Sequence, residues 1–351
     1  MCKVTTTKSA TTATTKNSSS SSTSLLMIQH HHKNNGKEES LFGLSKQQVK
    51  YIEYGLLSMA IVYGSVLYMD PKIFNIQADG SKYCNSNDDG TDTTSNDECY
   101  RMDLVAYKIV SFLSMSCMGI FGTYQWYNSV ELQQMSHRKS NNNNNNSNSN
   151  KTTTTSSSTS TSSAALPETR LFSYLKISEI QNVMIFCYQI WDIVVSLQIP
   201  EHREMIFMVH HVLAACVAYW SLKYQLFGYY SIYYGGCSEF SSIFLVISDI
   251  DSMFPTVVRS YPTFDTIILI CKGLFVGTFT YFRVIGWIQY SIPLWKDVFH
   301  VTTHNLDIQY RESSSKNQQR WLLYMFLILN VLLGCLQVYW LYEIVQLIRN
   351  M

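Results

Sequence analysis

Residues 199–222 read "IPEHREMIFMVHHVLAACVAYWSL", and their reading decides the fold. From Met205 onward the stretch is apolar and nearly long enough to cross a bilayer, which takes about 20 residues of α-helix. Another apolar run ends just before it, at 177–199, and Pro200 stops the two from joining into one helix. Only "PEHRE" separates them, so the pair is predicted to form a tight antiparallel hairpin. Inside the second arm lie two adjacent imidazoles, His210 and His211. An unsatisfied polar group in such a place costs several kcal/mol, so the pair serves either as packing glue or as part of a working site.

Outward from this hairpin the same pattern recurs. Apolar runs of spanning length occur at 51–69, 104–127, 177–199, 205–222, 227–248, 264–290 and 321–348. The predicted class is therefore all-α, a polytopic membrane protein of about seven transmembrane helices. The mean hydropathy of −0.02 hides this because it averages two populations. Residues 1–45 and the insert at 136–165 are rich in Ser, Thr and Asn, and such tracts are expected to stay disordered. The remainder carries most of the 24 Tyr, 17 Phe and 7 Trp. The chain divides on this reading into a polar tail (1–45), a first helix with an acidic loop (46–103), and a main body (104–348) interrupted by the insert.

Charge excludes some classes and leaves orientation open. The net charge of +1 over 351 residues gives no basic field for nucleic acid. Lys46, Lys50, Arg138, Lys139, Arg170, Lys176, Lys223, Lys296, Arg311, Lys316 and Arg320 favour one side, whereas the loop "NSNDDGTDTTSNDE" on the other is acidic. The positive-inside rule then puts the N-terminus in the cytosol and the C-terminus in the lumen. Sequons at Asn17, Asn145 and Asn150 are usable only in the reverse orientation. The first 24 residues lack an apolar core, so no cleaved leader is expected. The nine cysteines form no CxxC pattern; Cys84 and Cys99, in the acidic loop, are candidates for a lumenal disulfide.

Ionisable residues inside the runs are the candidate site. Counting about 1.5 Å per residue from the face holding the short hairpin loop puts Lys108 at roughly 6 Å depth and His210 and His211 at roughly 8–9 Å. Asp192 falls at roughly 10 Å, Lys272 at roughly 12 Å and Glu239 at roughly 13 Å. Arg283 and Asn330 form a thinner group, roughly 10 and 13 Å from the opposite face. Intramembrane ionisable groups usually face a bundle interior and pair there. Each has a blander reading: interhelical hydrogen bonding for the histidines, snorkelling for Lys108, and small-residue helix packing for "YYGGCSEFSS" around Glu239. No metal is expected, because adjacent histidines diverge by about 100° on a helix.

Tyr188 to Asp192 ("YQIWD"), the His pair after a short turn, and "SEFSSIFL" one run later together resemble the TLC-domain superfamily. That family includes ceramide synthases, translocating-chain-associated membrane proteins and smaller lipid-homeostasis proteins. "KIVSFLSMSCMGIFG", "FVGTFTYFRVI" and "LNVLLGCLQVYWLYEIV" extend the resemblance over about residues 104–348. It implies a six-helix TLC core with one helix before it, and a cytosolic C-terminus, against the charge count. This chain departs from the ceramide synthases. Their acidic pair after the histidines is missing from "YYGGCSEFSS", Ser114 stands where many members have a His, and no homeobox-like domain fits in 70–103.

The likeness is therefore stronger to the smaller TLC-domain proteins. It implies a role in membrane lipid homeostasis at the endoplasmic reticulum, the plasma membrane being the alternative address. The partners would be membrane lipids, held in an intramembrane polar pocket, with no cofactor. As the alternative, an acyltransferase resembling ceramide synthase would take acyl-CoA as substrate. His210 or His211 would then act as base or acyl acceptor, oriented by Glu239 or Asp192. Tyr188, Lys108, Lys272, Arg283 and Asn330 would complete the polar lining. A transporter or seven-helix receptor is a further alternative, although no broken helix or inverted repeat is visible in the sequence.

Overall fold

A computed structural model describes residues 43–69, 102–136, 167–199, 202–253, 261–305 and 316–349. The polar tail, the acidic loop with Cys84 and Cys99, the Ser/Thr/Asn insert and the sequons lie outside these residues. Every regular element among the described residues is helical. In chain order they are α1 (Lys46–Leu67), α2 (Met102–Asn128), α3 (Val130–Ser136), α4 (Pro167–Phe172), α5 (Lys176–Ser196) and α6 (Met205–Tyr224). Then come α7 (Gly228–Gly235), α8 (Phe240–Ser248), α9 (Ile250–Met253), α10 (Pro262–Thr278), α11 (Gly286–His300) and α12 (Lys316–Arg349). A 3-10 turn, Cys237–Glu239, joins α7 to α8, and a π-helical stretch, Phe279–Ile285, joins α10 to α11.

Helical segments thus occupy all seven predicted places. Four are long and apolar enough to cross a membrane by length and composition alone: Met102–Asn128, Met205–Tyr224, Pro262–Thr303 and Arg320–Arg349. Of the other three, α1 carries Lys46, Lys50 and Glu53, α5 carries Lys176, Glu179 and Asp192, and the third is interrupted between α7 and α8. The molecule is an all-α polytopic membrane protein. Its exterior bears large apolar side chains such as Ile61, Ile120, Val212, Ile270 and Ile328. Its interior holds Gln181, Asn182, Gln189, Asp192, Arg283, Asn330 and Gln337, all under 9% exposed. Apolar outside and polar inside is the arrangement that a lipid solvent favours.

Local chemistry sets the element boundaries. Ser45 caps α1 through a reciprocal pair of bonds with Gln48, which satisfies two otherwise orphaned donors. Pro262 opens α10, where its missing N–H costs nothing. The α6–α7 connection reverses through two left-handed residues, Gln225 (φ 52°) and Phe227 (φ 61°). That conformation is unusual for a bulky side chain. Tertiary contacts hold it: the Phe227 N–H donates to the Leu171 carbonyl at 2.6 Å, and its ring lies 4.1 Å from that of Phe326.

Two expectations about helix continuity are corrected. The run at 227–248 breaks at Gly236, where the chain turns through Cys237–Glu239 before continuing. The run expected at 264–290 continues helically to Asn305. The break sits where α2 crosses. A Cβ on Gly119 would fall 2.8 Å from the Phe240 Cα, so only hydrogen permits the approach. Within the π stretch, the Phe282 carbonyl accepts from the Tyr233 hydroxyl at 2.9 Å, so one irregular segment braces the other.

Candidate functional site

The hairpin supplies one half of the polar interior. α5 and α6 pack along their length, which sets Asp192 opposite His211. The His211 Nε2 lies 2.6 Å from the Asp192 Oδ2, while its Nδ1 meets the Gln189 Oε1 at 2.5 Å. The Nε2–Oδ2 contact is close but lacks hydrogen-bond geometry. Tyr107 of α2 donates to the other oxygen, Oδ1, at 2.7 Å. Its ring stacks on Trp191 with centroids 5.6 Å apart. Tyr188 packs edge-on to His211 at 6.5 Å and is itself buried.

His210 points elsewhere, as adjacent positions on a helix must. Its ring lies 4.9 Å from Trp340 of α12 and 5.3 Å from His211, both nearly edge-on. Its Nδ1 is buried without a hydrogen-bond partner. The two histidines therefore differ in kind: one is held by a carboxylate and an amide, the other by aromatic rings.

The interrupted helix supplies the other half. Arg283, on the π-helical stretch, reaches the Glu239 Oε2 with Nη2 at 2.7 Å. Its Nε donates to the Ser238 carbonyl at 2.9 Å and to the Ser241 hydroxyl at 3.1 Å. Ser242 links the two, meeting Arg283 Nη2 at 2.7 Å and donating to Glu239 at 2.9 Å. Depth counting put Glu239 and Arg283 in different halves of the bilayer; the structure joins them. A buried pair of this kind survives only when further hydrogen bonds satisfy it, and the three serines do so.

Part of this polar interior borders a cavity of about 90 Å³. At about 10–15 Å³ per water on that scale, it holds several waters or part of a larger molecule. His210, Glu239, Arg283, Asn330 and Gln337 line it, and Ala214, Val217, Leu294, Phe326 and Leu333 form apolar wall. Asn330 is fixed there because Trp295 donates to its Oδ1 at 3.2 Å and Trp287 to its carbonyl at 3.3 Å. Asp192, His211 and Tyr188 are not on the lining; Gln189, which is, connects the His211–Asp192 pair to it. Lys108 and Lys272 also lie off the cavity. Lys108 pairs with Asp249, and Lys272 lies 2.8 Å from Asp251. Among the described residues, no group of three or more His, Cys, Asp or Glu is placed to hold a metal ion.

Several contributors escaped the sequence reading. Gln189 and Gln337 carried no motif, although a Gln within an apolar run is itself a signal for inward facing. Arg170, counted as a loop charge, is 8% exposed. It grips Asp297 with Nε on Oδ2 at 2.6 Å and Nη2 on Oδ1, and Tyr230 donates to the same carboxylate. Tyr230 also lines the cavity.

Comparison with curated proteins and with solved structures gave no match for the chain. The family model of the TLC domain matches residues 105–346, from the second turn of α2 to the last turns of α12, and so encloses every residue of the cavity. The match covers well over half of the chain, which therefore belongs to the TLC-domain family.

Proposed function

We propose that this protein binds a membrane lipid in the intramembrane cavity and acts in membrane lipid homeostasis, at the endoplasmic reticulum, without transforming that lipid. Family membership supports a lipid-related role, and the cavity joins apolar wall to a few convergent polar groups, the usual make-up of a ligand site. One observation favours binding over catalysis. An imidazole acting as general base needs both access to the ligand and a partner that orients it. His210 lines the cavity and has no carboxylate; His211 has the carboxylate and is off the lining. Access and orientation are divided between two rings.

The test is retention of lipid. Protein purified in mild detergent should carry lipid in near-stoichiometric amount, and Ala214→Trp, which fills the cavity wall, should lose it at unchanged thermal stability. Equal lipid per protein in the two would overturn the reading.

The His211–Asp192 contact supports a second reading, an acyltransferase drawing on acyl-CoA. There His211 would turn toward the cavity and take a proton from an acceptor amine, with Asp192 steadying the imidazolium. Transfer of an acyl group to a long-chain base by the purified protein, abolished in His211→Ala and Asp192→Asn, would replace the binding reading with this one.

A further inference from the structure

Three side chains on the cavity lining keep a buried polar atom with no partner: His210 Nδ1, Ser221 Oγ and Gln337 Oε1. Ser221 and Gln337 are 3% and 2% exposed, so bulk solvent does not serve them. Folded proteins rarely leave buried polar groups unmatched, and three around one cavity call for a ligand that matches them. The chemistry of that ligand follows from what the cavity already satisfies. Its full charges, Glu239 and Arg283, are joined to each other and to Ser238, Ser241 and Ser242. As a pair they carry no net charge with which to offset one brought in from outside. The nearby lysines are committed as well, Lys108 to Asp249 and Lys272 to Asp251, and neither lines the cavity. An unpaired phosphate or ammonium placed here would be a buried charge without a counter-ion, which is strongly unfavourable.

The buried atoms left without a partner on the lining belong to an imidazole, a hydroxyl and an amide. The Gln337 Oε1 only accepts, so it asks for a donor; an imidazole nitrogen donates or accepts according to tautomer; a serine hydroxyl does both. His210 touches Trp340, one turn along α12 from Gln337, so a hydroxyl on the ligand answers those two, while Ser221 lies at the far end of the α6 wall. His210, Ala214, Val217, Ala218 and Ser221 mark one wall along α6, about 16 Å from end to end at 1.5 Å per residue. Its middle is apolar, so it suits a chain. We infer that the cavity selects a lipid whose head group is uncharged and hydroxyl-bearing, of the monoacylglycerol or long-chain-alcohol type, over lipids headed by a phosphate, carboxylate or ammonium. This inference deepens the lipid-binding reading and rests on it.

The experiment is equilibrium binding of radiolabelled monooleoylglycerol to the full chain in detergent, with unlabelled monooleoylglycerol, oleate and oleylamine as competitors. Monooleoylglycerol should compete about tenfold or more better than either charged analogue, since a lost charge-free hydrogen-bonding fit is worth at least that factor. Gln337→Leu should remove most of the advantage. Glu239→Gln, which leaves Arg283 uncompensated, should turn the preference toward oleate. Should that variant fail to fold, the wild-type competition and Gln337→Leu still decide. Oleate or oleylamine competing as well as the glyceride would overturn the inference while leaving lipid binding intact. An unchanged preference in Gln337→Leu would overturn the assignment to this cavity. Absence of binding by all three would overturn the lipid reading along with it.

Discussion

Gly122 and Gly236 meet backbone against backbone. A Cβ on Gly122 would lie 2.3 Å from the Gly236 Cα, and one on Gly236 would lie 2.6 Å from the Gly122 Cα. This contact lets α2 pass across the interruption between α7 and α8, three residues before Glu239. The interruption in turn sets Glu239 within reach of Arg283 on the π-helical stretch. The polar end of the cavity thus depends on two hydrogens where any other residue has a carbon.

Gly122→Ala should therefore be costly. The atoms it would strike belong to backbone, which cannot rotate aside, and overpacking of this kind typically costs about 1–3 kcal/mol. Gly273→Ala is the control, because nothing lies within 4 Å of the added carbon. Thermal midpoints in detergent should fall for the first and hold level for the second. Equal midpoints would show that the crossing is looser than described.

A second close approach offers a rescue. A Cβ on Gly286 would fall 1.6 Å from the Tyr233 hydroxyl oxygen, which donates to the Phe282 carbonyl. Tyr233→Phe alone should cost about 1 kcal/mol, the usual net worth of one hydrogen bond. Gly286→Ala alone should cost more, and the double variant should recover part of that loss by deleting the atom in the way. A double variant worse than the sum of the singles would contradict the geometry.

Buried charge predicts a further non-additive set. Arg170 and Asp297 are 8% and 3% exposed and joined by a two-pronged contact. Removing one partner of such a pair costs about 3–5 kcal/mol because the other is left buried and unpaired. Arg170→Met or Asp297→Leu should each destabilise severely, and the double variant should lie much nearer the wild type. Additive losses, measured by urea or thermal unfolding in detergent, would mean that the two groups are not coupled.

Residue chemistry explains which parts of this arrangement were legible in the sequence. The Asp192–His211 contact was, because a short connection fixes the relative depth of two straight helices, and equal depth on neighbouring helices brings side chains together. Glu239 with Arg283 was not. Depth counting assumes unbroken helices of regular rise, whereas the interruption at Gly236 and the π-helical stretch change both position and facing. Lys108, for which the sequence offered either snorkelling or a place in the polar lining, has its partner in Asp249, in the "DID" that follows α8. Gln337 and Arg170 were missed because single polar residues carry no spacing that marks them.

The two histidines give the last prediction, since the structure separates what the sequence joined. His211→Ala leaves Asp192, which is 0% exposed, with only Tyr107 and a long contact to Ser196. That loss should cost about 3–5 kcal/mol if the pair is ionised, and about 0.6–2 kcal/mol if it is a neutral interhelical bond. Asp192→Asn in the same chain should return much of it. His210→Ala removes ring contacts with Trp340 and His211 and no hydrogen bond at Nδ1. Its stability should fall by only about 0.5–1.5 kcal/mol, the worth of an aromatic pair. Bound lipid per protein should behave in the opposite order, dropping sharply in His210→Ala, whose ring lines the cavity. In His211→Ala it should hold, measured below the lowered midpoint. Thermal unfolding and lipid extraction on the same preparations read both quantities. Equal destabilisation by the two substitutions, with lipid retained in each, would make both rings packing groups and remove His210 from the site.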